Sequence, residues 1–116
     1  LSTSDVLVLR DHAATVHVAP ALKEYLVQLA NGTRSHPQFE LGMSPRATLS
    51  LLRVARVWAA MQGRDYATPD DVKRLAEPVL AHRLLVTPEA DLQGISSAAI
   101  LADVLDTVPV PRPRSA

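Results

Sequence analysis

The sequence predicts an all-α fold, a small bundle of four to five helices, and three observations carry that expectation. Apolar residues recur at helical spacing in separate stretches along the chain. Most of these stretches follow a Ser or Thr, and several have Pro at the next position, where a helix tolerates it. Strand signals are weak throughout, and there is no internal repeat.

Ser2-Thr3-Ser4-Asp5 reads as a helix start, with Ser2 and Asp5 at capping-box spacing and Val6, Leu9 and Ala13 following. Val16-His17-Val18 reads as a short extended piece. Pro20 opens a second helix with Leu22, Tyr25, Leu26 and Leu29 as its stripe, and Asn31-Gly32 is expected to stop it. Residues 33–43 then form a loop containing His36-Pro37, long enough to suggest a functional role. Ser44-Pro45 opens the third and longest helix, running to Gln62 with Gly63 as its stop. Thr68-Pro69-Asp70-Asp71 starts a fourth, in which Val72, Leu75, Ala76, Val79 and Leu80 mark one buried face and Pro78 predicts a kink or a division. Leu84-Leu85-Val86 reads as extended or as a helix end. Ser96 or Ser97 caps a fifth helix with Ile100, Leu101, Val104 and Leu105. Residues 108–116, with Pro109, Pro111 and Pro113, read as a flexible tail after a single domain at 1–107.

The 116 residues are 47% apolar, enough for one core, but only 3% aromatic, so Leu, Val and Ala must fill it. There is no cysteine, which excludes disulfides and thiolate metal sites and fits a reducing cytoplasm. No apolar run is long enough to span a membrane, and the start has no signal-peptide pattern. The chain begins without Met, as a fragment of a longer protein would. Net charge is zero, which argues against a nucleic-acid binder. The charges are uneven, however. Residues 31–64 hold five arginines against Glu40 alone, whereas residues 65–106 hold eight acids against three bases. One face can therefore attract an anion, or both can be ordinary solvated faces.

There is no GxxxxGK[ST] phosphate loop and no HExxH. His12, His17, His36 and His82 lack metal-ligand spacing and read as structural. Ser96-Ser97 reads as a cap and Asp70-Asp71 as a helix start. The arrangement with chemical promise is Ser44-Pro45-Arg46, which sets an arginine in a first helical turn. At about 100° per residue, Arg53 falls within about 20° of Arg46 and Arg56 about 80° from it. These three are expected on one side, opposite Leu51, Leu52, Ala55, Trp58 and Ala59. Guanidinium forks suit phosphate oxygens, and without a phosphate loop they would serve a phosphate held by another domain.

Leu41-Gly42-Met43-Ser44-Pro45-Arg46-Ala47, Leu51-Leu52-Arg53 and Gly63-Arg64-Asp65-Tyr66-Ala67-Thr68-Pro69-Asp70-Asp71-Val72 together resemble the C-terminal lid of MoxR-type AAA+ ATPases. Val16-His17-Val18, His36-Pro37 and Val79-Leu80-Ala81-His82-Arg83-Leu84 agree, and the likeness covers about residues 1–111. Ala19 departs from the capping Ser or Asp usual there. The resemblance implies a helical lid on an αβα core that is not in this sequence, and a parent protein that hydrolyses ATP with Mg. By itself the fragment is expected neither to be an enzyme nor to hold that cofactor. Carried over onto this sequence, Arg46 is the sensor 2 residue, with Arg53 as its companion and Ser44 and Thr68 as the caps of the flanking helices. Implied partners are the AAA+ core of the same chain, neighbouring subunits of a ring, often a hexamer, and von Willebrand A domain proteins, in a chaperone-like cytoplasmic complex without nucleic acid or membrane. Two other readings remain open: a helical protein-interaction module, and a DNA-binding domain using the third helix.

Overall fold

A computed structural model describes residues 2–111. Helix α1 spans Thr3–Thr15 and α2 Pro20–Ser35. Strand β1 is Phe39–Leu41, α3 Pro45–Met61 and α4 Pro69–Leu80, the last continued by a 3-10 turn at Ala81–Arg83. Strand β2 is Leu85–Val86, and the short α5 (Pro88–Leu92) and α6 (Ser97–Thr107) complete the order.

The starts follow the capping chemistry of the sequence. Ser2 and Asp5 form a full capping box on α1, and Thr68 and Asp71 form another on α4. Ser44, Thr87 and Ser96 each accept a backbone N–H of the first turn they precede. Ala19, with no side-chain acceptor, makes no cap hydrogen bond at the start of α2, where Pro20 alone sets the first turn. Gly63, at φ 75°, closes α3 in the left-handed region that Gly enters without penalty.

Helices α2, α3, α4 and α6 enclose the core. Leu26, Leu29, Leu51, Val72, Ala76, Leu80, Ile100 and Leu101 are all buried there. A fully buried Leu of this kind contributes roughly 2–3 kcal/mol. Alanines at 55, 59 and 76 let α3 and α4 approach closely.

Four expectations are corrected. Helix α2 does not stop at Gly32 but runs through it to Ser35. Gly32 is there because α6 crosses at that point: a Cβ would lie 3.0 Å from Val104 Cγ1. The expected loop at 33–43 is only partly a loop. Its first turn is helix, and Phe39–Leu41 pairs antiparallel with β2, Phe39 opposite Val86 and Leu41 opposite Leu85. Helix α4 passes through Pro78 undivided and ends two residues later in the 3-10 turn. Pro78 has no N–H to donate back along the helix, and only Val79 and Leu80 follow it before the helix ends. A sixth helix, α5, had no place in the reading. The extended piece at 16–18 is real, and His17 bridges in parallel to Tyr66. Val108 packs against the core, and the part of the expected Pro-rich tail from residue 112 lies outside the described residues.

Candidate functional site

The segment before α3 is fixed to the end of α2 by three contacts. Gly42 lies so close that a Cβ would stand 2.7 Å from the Arg34 backbone nitrogen. Met43 N–H donates to the buried Thr33 Oγ1 at 2.9 Å, and Thr33 in turn donates to the Ala30 carbonyl. Arg34 Nε donates to the Met43 carbonyl at 2.7 Å. Ser44 follows directly, and its Oγ accepts the Ala47 N–H at 3.0 Å. Arg46 is thus the second residue of a helix whose start is held on both sides.

Arg46 and Arg53 are both exposed. The three ion pairs among the described residues are His12–Asp65, His36–Asp103 and Arg64–Asp71, so neither arginine is neutralised by a described carboxylate. Among the described residues, the side-chain hydrogen bonds that arginines make belong instead to Arg34, Arg56, Arg64 and Arg83.

Arg56 does not join them. It turns toward α1 and its Nη2 donates to the Ala14 carbonyl at 2.8 Å, while its Nε is buried without a partner. The angle of about 80° that separates it from Arg46 on α3 is enough to face a neighbouring helix instead of solvent. A cation also suits the carbonyl end of α1.

Residues 31–104 match the family model described as "AAA lid domain". The chain belongs to the AAA lid domain family. Over 116 residues it is 37% identical to the YeaC protein of Bacillus subtilis, covering 100% of this chain and 36% of that protein. It is 38% identical over 121 residues to the chaperone MoxR1 of Mycobacterium tuberculosis, covering 97% of this chain and 32% of that one. The crystal structure of a proposed ATPase from Cytophaga hutchinsonii superposes with a TM-score of 0.87 at 30% identity, over 97% of this chain and 37% of that one. The lid spans about a third of the length of the curated relatives it matches.

At the far end of α3, the lid builds a second polar node. Arg64 grips Asp71 with two nitrogens, at 2.6 and 2.9 Å, and also donates to the Tyr66 carbonyl. Asp71 further accepts the Thr68 N–H at 2.8 Å. Burial alone would raise the Asp71 pKa, but the bonds from Arg64 and Thr68 outweigh it and hold the carboxyl below its ordinary value. The same bond to Asp71 raises Arg64. This node is architecture: it locks the turn between α3 and α4.

Two histidines brace the lid. His36 Nδ1 accepts the Gln38 N–H, and its Nε2 lies 3.0 Å from Asp103 on α6. His12 Nε2 lies 3.3 Å from Asp65. Among the described residues no group of three His, Asp or Glu side chains is placed to hold a metal ion. One residue on the arginine face has no assigned role in the sequence reading. Arg83, from the 3-10 turn, donates from Nη1 to Ser50 Oγ at 3.0 Å. The only sequence signal for it was its place within Val79–Leu84, a stretch that carried the resemblance without a role.

Proposed function

We propose that this lid serves as the sensor 2 element of a MoxR-type AAA+ ATPase, with Arg46 contacting the terminal phosphates of ATP and Arg53 assisting. The observation that carries the reading is the state of Arg46: charged, exposed, without a described carboxylate, and set in the first turn of a capped helix. A guanidinium placed in this way stabilises charge on a phosphoryl group in transfer. The chain has no phosphate loop of its own. ATP and its Mg ion are therefore held by the AAA+ core, and the lid supplies one cationic side of the site.

Helix α1 supports a larger assembly. Only Ala13 of its thirteen residues is buried, while Val6, Leu7 and Val8 are 48%, 49% and 68% exposed. A helix this apolar and this bare fits a cover supplied by the core or by a neighbouring subunit. The kinship with MoxR proteins extends the proposal to a homo-oligomeric ring, a hexamer, acting as a cytoplasmic chaperone on von Willebrand A domain proteins.

The test is Arg46→Ala in the full-length protein. We expect an assembled, folded ring whose ATP turnover falls at least about tenfold, or about 1.4 kcal/mol of transition-state stabilisation. A folded mutant ring with normal turnover rejects the assignment and favours a lid that acts only through protein contacts.

A further inference from the structure

We infer that Arg83 is a third phosphate-contacting residue of the arginine face and that Ser50 is its positioning residue; this rests on the sensor 2 reading of Arg46. Ser50 lies one turn after Arg46, about 40° round the helix and about 6 Å along its axis. The Arg83 guanidinium bonded to it therefore stands on the same side of α3 as Arg46 and Arg53.

The geometry is that of a held charge. Arg83 sits in a turn flanked by Leu80 and Leu84, 1% and 6% exposed, so its backbone is anchored on both sides. Ser97 Oγ on α6 donates to the Ala81 carbonyl at 2.7 Å and fixes the start of the same turn. The side chain itself is exposed. Its one described partner is a neutral hydroxyl, and none of the three ion pairs among the described residues involves it. Bound to a hydroxyl through Nη1 alone, it keeps its full charge and leaves Nε and Nη2 for an incoming anion. Three uncompensated arginines on one face suit the several oxygens of a terminal phosphate better than one does.

The experiment compares Arg46→Ala, Arg83→Gln and Ser50→Ala in the full-length protein. Arg83→Gln keeps a donor for Ser50 and removes the charge. ATP turnover, the ADP-to-ATP ratio of dissociation constants and the melting temperature are measured for each. We expect Arg83→Gln to melt like the parent, to lose about tenfold in turnover and to narrow the ADP-to-ATP ratio, with Ser50→Ala losing about threefold. Loss in Arg46→Ala with parental turnover and ratio in Arg83→Gln overturns this inference and leaves the sensor 2 reading standing. Parental behaviour in both overturns that reading as well. Should Arg83→Gln melt early, Ser50→Ala decides: a threefold loss supports the inference, and unchanged turnover overturns it.

Discussion

Replacing Arg64 with Ala should be among the costliest single changes that the arginines of this chain can suffer. Asp71 has a side chain only 4% exposed, against 26% for Arg64. Deleting the arginine leaves a buried carboxylate behind, a situation that ordinarily costs about 3–5 kcal/mol. Asp71 would keep the Thr68 N–H at 2.8 Å, and water can enter from the Arg64 side. The expected loss is therefore about 2–4 kcal/mol. At this chain length that lowers the melting temperature by about 8–16 °C. Urea unfolding followed by far-UV circular dichroism measures it. In an Asp71→Asn background the same Arg64→Ala change should cost clearly less, because no charge is stranded. The acid limb gives a second check. Asp71 has a folded pKa below its unfolded value. Its ionised form thus contributes stability that is fully present above about pH 4 and is lost as pH falls through the lower folded value. The stability gap between parent and Asp71→Asn should close below about pH 4. An Arg64→Ala chain within about 0.5 kcal/mol of the parent would refute the reasoning, since surface arginines behave that way.

Two glycines should respond to Ala with losses of different size. At Gly42 the new Cβ would meet backbone atoms of Arg34 and Thr33 at 2.7–2.8 Å, and backbone cannot rotate aside. We expect a loss of about 3 kcal/mol or more in the urea midpoint analysis. At Gly32 the neighbours are Val104 and Val108 side-chain carbons at 3.0 and 3.4 Å, which must shift by a few tenths of an ångström, a cost set against about 1 kcal/mol of helix propensity that Ala gains. That variant should stay within about 1 kcal/mol of the parent. Tyr25→Phe should be neutral or stabilising by up to about 1 kcal/mol in the same assay, because the Tyr25 hydroxyl is buried without a hydrogen-bond partner. A larger loss would mean that the hydroxyl has a partner.

Helix starts were legible because they depend on local chemistry. Ser2, Ser44, Thr68 and Ser96 each accept a first-turn N–H that the chain itself supplies. Helix ends were less so. Gly32 carries the usual sign of a stop, yet its meaning comes from Val104, seventy-two residues away, whose helix needs the space. Strand β2 falls within Leu84-Leu85-Val86, which reads as extended or as a helix end, but β1 and its pairing with β2 escaped notice because two- and three-residue strands have no periodicity to read. Helix α5 escaped because it has only five residues, although Thr87-Pro88 repeats the Ser44-Pro45 and Thr68-Pro69 signature.

The arginines show where sequence reading reaches its limit. Spacing along α3 placed Arg46, Arg53 and Arg56 together, but spacing cannot say whether a carbonyl waits within reach. Ala14 waits for Arg56, Met43 for Arg34, and Asp71 for Arg64. These three are committed to holding α1, the loop before α3 and the turn after it. Their effect is that α3 is tied by polar bonds near its start, along its length and beyond its end. If the lid reports the state of a phosphate, as proposed, it must move as one body, since a helix free to shift alone would absorb the signal. On that proposal the committed arginines bear on function as directly as the exposed ones. Arg46, Arg53 and Arg83 can meet an anion, and Arg34, Arg56 and Arg64 make the surrounding structure follow what α3 does.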